Sequence, residues 1–288
     1  MAEQLIGVVG GGLMGAGIAA VCARSELDVI LVERDAAASD RARARVERSL
    51  ERAVGHGKLD RSGAEAAARR IRYGVDLHML EDRELVIEAV AEDEALKVEL
   101  FGQLDDIVAN EDALLASNTS SIPIMTLAVA TTRPSNVIGI HFFNPVPVME
   151  LVELIPTLTS SAKTTQRAEE FAVGTLDKVA VWSQDRAGFV VNALLIPYLL
   201  SAVRMLESGF ATAEDIDNGM VLGCGHPMGP LRLIDLIGVD TTAAVANAMY
   251  AEFKEPLYSP SPLLRRMVDA GLLGKKAGRG FFEYPATD

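Results

Sequence analysis

One short stretch near the start of the chain constrains the fold more than any other. Gln4-Leu5-Ile6-Gly7-Val8-Val9 is an apolar, β-branched run, and Gly10-Gly11-Gly12-Leu13-Met14-Gly15 follows it directly. Residues 13–25 read as a helix, and Val29-Ile30-Leu31-Val32 is a second apolar run ending at Glu33. Strand, tight turn, helix and strand within about 30 residues form a βαβ unit. Near-continuous apolar strands suit a parallel sheet covered on both faces. The turn satisfies G-x-G-x-x-G, a weak pattern alone that gains weight between a strand and a helix. Gly10 permits the turn, Gly12 lets the backbone approach a pyrophosphate, and Gly15 lets the helix pack closely on the sheet. A phosphate there meets free N–H groups at the positive end of the helix. Leu13 and Met14 complete the predicted dinucleotide contact. The alternative is a glycine turn with no ligand.

Glu33 lies 18 residues beyond Gly15, where a carboxylate accepts ribose hydroxyls and repels a 2′-phosphate. NAD is therefore the expected cofactor, with NADP tolerated if Arg34 swings over; a solvated strand-end acid is the alternative for Glu33. Beyond it the chain is rich in Ala, Arg and Glu from about 37 to 70, and reads as two helices joined around Gly55–Asp60. The α/β alternation then resumes, with strands at Leu85–Val90, Ala113–Ser117, Val137–Phe143, Met149–Ile155 and Val179–Trp182. Helices fall at 94–109, 122–130 and 162–174. Past Arg186 only helical stretches follow, at 189–207, 213–222, 230–253 and 262–270. The expected architecture is a doubly wound, Rossmann-like and mostly parallel sheet domain over 1–184, with the helical insertion at 37–70, then an all-helical domain over 185–288.

Several function classes are disfavoured by composition. The net charge of −13 argues against nucleic acid or an anionic membrane as the main partner. Met1-Ala2-Glu3-Gln4 lacks the basic and apolar regions of a signal peptide. The most apolar stretch, Gly188–Val203, is broken by Asn192 and Pro197 and reads as a buried helix, short of a membrane span. Two cysteines, Cys22 and Cys224, imply no disulfide framework and suit a reducing, cytoplasmic setting. No metal is expected.

Of the four histidines, His141 stands out by its neighbours. It ends the strand Val137–His141 and opens Phe142-Phe143-Asn144-Pro145, and strand ends in a doubly wound sheet face the ligand crevice. Glu153, in Leu151-Val152-Glu153-Leu154-Ile155, is an acid among apolar residues and is costly to bury without a partner. A His–Glu pair supplies one: the carboxylate fixes the imidazole tautomer and raises its basicity. Oxidising an alcohol needs such a base for the hydroxyl proton while hydride leaves to nicotinamide. Ser117-Asn118-Thr119-Ser120-Ser121 follows a strand and precedes a short helix, either as a capping turn or as a polar group for the site. Asn192, an amide in an apolar helix, pairs with a structural partner or with a substrate oxygen.

The chain also resembles the L-3-hydroxyacyl-CoA dehydrogenase family, above all its stand-alone bacterial 3-hydroxybutyryl-CoA members. The resemblance spans the chain in ordered blocks: Gly10–Gly15, Glu88-Ala89-Val90, Ser117–Ser121, His141-Phe142-Phe143-Asn144-Pro145-Val146-Pro147, Gly188–Asn192, Pro227-Met228-Gly229-Pro230 and Gly274–Phe282. It implies His141 as general base, Glu153 as its orienting partner, and Ser120 and Asn192 as groups positioning the substrate oxygen. It also implies dinucleotide contacts at Glu92, Lys97, Asn118, Asn144 and Lys276, and a CoA-binding arm at 37–70 with Ser49 as a hydroxyl contact. There the chain departs from relatives that carry a lysine, having His56 with Lys58 two residues on. A homodimer through the helical domain is implied as well. The expected reaction is reversible NAD-dependent oxidation of a short-chain (S)-3-hydroxyacyl-CoA in a cleft between the domains, as in fatty acid metabolism. The His56 departure keeps open a carrier-protein thioester or a sugar acid as substrate; a non-catalytic dinucleotide-binding protein is disfavoured by the His141–Glu153 pair.

Overall fold

The computed structural model describes residues 5–285; the segment Met1–Gln4, with its expected lack of a leader and the first residue of the first strand, lies outside the described residues. The chain separates into two compact units, one ending at Arg186 and the other beginning at Ala187.

The first unit is built on a sheet of eight strands in the order β3-β2-β1-β4-β5-β6-β7-β8. The strands are β1 Leu5–Val9, β2 Asp28–Val32, β3 Ile71–Gly74, β4 Leu85–Glu88, β5 Leu114–Ser117, β6 Val137–Phe142, β7 Leu151–Pro156 and β8 Val179–Trp182. All neighbours pair parallel except β6 and β7, which run antiparallel. The chain reverses its winding between β1 and β4, so their carboxyl ends open a crevice there. Helices α1 Leu13–Arg24, α2 Ala36–Gly55, α3 Arg61–Arg69, α4 Glu94–Ile107, α5 Ile124–Ala128 and α6 Ala162–Glu169 join the strands. Because side chains alternate along a strand, Ile138, Ile140 and Phe142 of β6 enter the core formed with α1 and α6, while His141 points to the opposite face.

α2 and α3 form the two-helix insertion, each started by an aspartate that accepts a first-turn amide: Asp35 from Ala38 and Asp60 from Gly63. Buried Ala42, Val46 and Leu50 fix one face of α2 against the sheet unit. Strand β3 was not expected. It is a four-residue edge strand with only Ile71 buried, and it follows a helix so closely that no periodicity announces it.

The second unit is helical: α7 Val191–Glu207, α8 Ala213–Cys224, α9 Pro230–Ile237, α10 Val239–Phe253 and α11 Pro262–Asp269. The single helix expected over 230–253 is two. Gly238, at φ +111°, ends α9 and turns the chain into α10, a backbone conformation that glycine adopts without a Cβ penalty. Buried Asp235 accepts the amides of Phe281 and Phe282 and the Tyr284 hydroxyl, which pins the terminal glycine-rich segment onto α9. Among the described residues no helix is long and apolar enough to cross a membrane.

Candidate active site

Glu153 lies directly across the β6–β7 ladder from His141. Residues opposite one another in an antiparallel pair share a face, so the strand register itself brings imidazole and carboxylate together. Nδ1 of His141 lies 2.8 Å from Oε2 of Glu153. Both side chains are nearly inaccessible, at 5% and 0% exposure. A carboxylate has no proton to donate, so the proton of this bond sits on Nδ1 and the lone pair of a neutral imidazole is left at Nε2. Nε2 is 2.9 Å from the Ser120 hydroxyl, and the Phe143 ring packs edge-on against the imidazole. His141, Glu153 and Ser120, expected together, are thus one hydrogen-bonded chain.

The loop that carries Ser120 is held from below. Glu92 accepts the Thr119 and Ser121 hydroxyls and the Ser120 amide. Lys97 is buried and lies 2.7 Å from Glu88 and 3.1 Å from Glu92. Glu88, fully buried at the end of β4, also accepts the Ser117 hydroxyl. The Asn118 side-chain oxygen Oδ1 accepts the Phe142 amide at 2.8 Å and ties the loop to the strand end beside His141. Glu92, Lys97 and Asn118 therefore position the Ser120 loop; none of them lines the cavity at the glycine turn.

Burial pushes the Glu92 carboxyl up, but the Lys97 ammonium and the donating hydroxyls outweigh this and hold it below its ordinary value. A carboxyl that titrates lower folded than unfolded stabilises the fold above its unfolded value, and the contribution is lost as pH falls through the folded one. Thermal melts should therefore show acid destabilisation setting in below about pH 4.5. Glu92→Gln is expected to lose less of its Tm over that range than the wild type. Melting profiles that run parallel from pH 7 down to 3 would show that this carboxyl contributes nothing to acid lability.

The glycine turn makes a cradle. Gly10 adopts φ +92°, and a Cβ at Gly15 would lie 1.8 Å from the Gly10 carbonyl oxygen, so helix and turn touch backbone to backbone. A Cβ at Gly12 would meet nothing within 4 Å. Gly12, the N-cap of α1, supplies no side-chain cap, which leaves first-turn amides for an anion. Glu33 accepts the Gly11 amide at 2.7 Å and the Arg34 amide at 3.2 Å, which fixes its carboxylate at the end of β2. A cavity of about 600 Å³ opens here, lined by Gly10, Gly12, Glu33, Arg34 and Arg41, with Val75, Leu77, Leu96 and Leu100 as apolar walls. Open space over an uncapped helix start, a fixed carboxylate and apolar walls suit the pyrophosphate, ribose and adenine of a dinucleotide.

A second cavity of about 430 Å³ lies between α2 and the loop after β6. Ser49, His56 and Lys58 line it together, as does Asn144, which precedes a cis proline bond. Leu13 and Asn144 face this cavity and are not among the residues lining the first. Sequence reasoning missed four further cations here, Arg24, Arg45, Arg48 and Arg52. For the three on α2 the signal was available, because positions 45, 48, 49 and 52 follow the i, i+3, i+4, i+7 spacing of one helix face. Buried Lys178 donates to the carbonyls of Val146 and Met149 and anchors the opposite wall.

In the helical unit, Asn192 lies in the first turn of α7. Lys276 pairs with Asp240 of α10 at 2.6 Å.

A dinucleotide cradle and a carboxylate-steadied imidazole on one mostly parallel sheet are what a dehydrogenase requires, and that is the class this fold and site define. The chain belongs to the 3-hydroxyacyl-CoA dehydrogenase family: residues 5–186 match the family's NAD binding domain and residues 188–284 its C-terminal domain. It is 56% identical over 283 residues to 3-hydroxybutyryl-CoA dehydrogenase of Mycobacterium tuberculosis, covering 98% of this chain and 99% of that one. It is 45% identical over 278 residues to a probable 3-hydroxybutyryl-CoA dehydrogenase of Deinococcus radiodurans, covering 96% and 99%. Among solved structures, M. tuberculosis FadB2 matches with a TM-score of 0.97 and 55% identity over 99% of this chain and 100% of that one. The (S)-3-hydroxybutyryl-CoA dehydrogenase of Ralstonia eutropha matches with a TM-score of 0.92 and 44% identity over the same shares. NAD(H) is the cofactor that this family assignment carries.

Proposed function

We propose that the protein catalyses the reversible NAD-dependent oxidation of a short-chain (S)-3-hydroxyacyl-CoA, 3-hydroxybutyryl-CoA foremost, to the 3-ketoacyl-CoA. The Ser120–His141–Glu153 chain carries this reading. In the oxidation, Nε2 of His141 takes the proton of the substrate's C3 hydroxyl, and the positive charge formed on the ring is met by Glu153 through Nδ1. Ser120 orients the reacting oxygen. In the reverse direction the imidazolium returns the proton to the C3 oxygen. The dinucleotide, when bound, supplies the acceptor for the C3 hydride. Gly10, Gly12 and the start of α1 would hold its pyrophosphate, with Glu33 on the ribose.

The second cavity supports a CoA thioester over a carrier-protein thioester or a sugar acid. Its arginines add an array of cations to His56 and Lys58, and phosphates are the groups such an array recognises. Mixing the protein with acetoacetyl-CoA and NADH is expected to consume absorbance at 340 nm. No consumption with either NADH or NADPH would reject the reading. A higher kcat/KM for the acyl-carrier thioester than for the CoA ester would replace CoA by the carrier protein.

We further propose a cytoplasmic homodimer joined through the helical unit. Its support is the exposure of Leu194, Phe210 and Leu222, at 74%, 78% and 83% in a unit that has a core of its own. A light-scattering mass of one chain, 30.8 kDa, at micromolar concentration would rule out the dimer.

A further inference from the structure

Among the described residues, Arg45 alone lines both cavities. It projects from α2 three residues after buried Ala42 and next to buried Val46, so the helix cannot rotate it away without exposing its core face. Its Nη1 donates to the Gly11 carbonyl oxygen at 3.2 Å. Gly11 is thereby held through both of its backbone polar groups, since its N–H donates to Glu33. On the first-cavity side the neighbouring cation on α2 is Arg41; on the second-cavity side the neighbours are Arg48 and Arg52.

A guanidinium has five donors in a fixed plane and engages two acceptors at once, which a lysine ammonium does less well. One such group, held in the partition between a dinucleotide cavity and a cation-lined cavity, is within reach of both polyanions. We propose that Arg45 is a shared specificity residue, binding the phosphates of the dinucleotide on one side and those of coenzyme A on the other while it holds the Gly11 peptide in shape. This rests on the acyl-CoA reading of the second cavity. It assigns to one side chain an effect on both ligands, whereas each other cation of the two cavities serves a single ligand.

The test uses the full chain, with NADH and coenzyme A as separate probes in equilibrium titrations at fixed ionic strength, because partly exposed charges are screened by salt. Arg45→Met is expected to raise the Kd of NADH and the Kd of coenzyme A by roughly tenfold each, the scale of a lost charge-assisted hydrogen bond. Arg41→Met should raise only the NADH constant, and Arg52→Met only the coenzyme A constant. Arg45→Lys, which keeps the charge and loses the planar fork, should recover part of both losses, which a purely structural role would not predict. Should Arg45→Met fail to fold, Arg45→Lys alone decides: wild-type constants for either ligand would overturn the proposal. An Arg45→Met effect confined to one ligand would overturn it, as would a double effect from Arg41→Met or Arg52→Met. If coenzyme A fails to bind the wild-type protein at all, the acyl-CoA reading itself falls and the assignment falls with it.

Discussion

Replacing His141 with glutamine is expected to lower kcat for acetoacetyl-CoA reduction by roughly two to four decades, the usual size of a positioned proton-transfer group. The Kd of NADH should stay within about twofold, because the dinucleotide cavity is lined by other residues. The argument is geometric before it is chemical. His141 is buried, yet both of its ring nitrogens have polar neighbours, a carboxylate at 2.8 Å and a hydroxyl at 2.9 Å. Glutamine is close to histidine in reach and can satisfy one of these neighbours, so the fold should survive while the exchangeable proton at Nε2 is lost. Glu153→Gln should cost less, about one to three decades, since the amide oxygen still accepts from Nδ1 but no longer offsets the charge of the imidazolium. The two losses should not add, because the residues act as one unit. Near-normal turnover in His141→Gln would mean that the substrate proton leaves by another route.

That pair was legible in the sequence because strand alternation and burial cost act over short distances. An acid inside Leu151–Ile155 demands a partner, and His141 at the end of the neighbouring apolar run is the nearest candidate. The βαβ unit was legible for the same reason: glycines, apolar runs and a terminal acid all fall within residues 4–33. Other features depend on packing that no local pattern encodes. Ile71–Gly74 is a strand only because β2 offers it an edge. The break at Gly238 hides in a sequence whose helical period continues on either side of it, and only the backbone angle reveals it. Lys97 matched a dinucleotide position by resemblance, and its buried ion pairs with Glu88 and Glu92 were not foreseen; a sequence shows a charge but not what surrounds it. Arg45 belongs to the same class. Its helix face could be read from spacing, but that this face forms a partition between two cavities follows from how α2 lies beside the glycine turn.

The glycine turn yields the second large effect, and here two neighbouring substitutions should separate folding from binding. Gly15→Ala places a methyl 1.8 Å from the Gly10 carbonyl oxygen and 3.0 Å from its carbon. Both are backbone atoms, so no side chain can swing aside. Relief requires α1 to move off the turn, yet Ala16, Ile18, Ala19 and Ala20 of that helix are buried in the sheet's core. A cost of about 3 kcal/mol, at the upper end for overpacking, lowers Tm by several degrees for a unit of this size. NADH affinity should fall by at least about 100-fold as the turn deforms. Gly12→Ala differs in kind. Gly12 has φ −61° and ψ −164°, which alanine adopts without strain, and its methyl would enter open space. Tm should therefore stay within about two degrees, while NADH affinity drops by a comparable factor because the methyl occupies the approach that the pyrophosphate needs. Calorimetric melts and NADH titrations on both variants give the comparison. If Gly12→Ala bound NADH as the wild type does, the space over that residue would not be the phosphate site, and the cradle would have to be sought elsewhere along the β1–α1 junction.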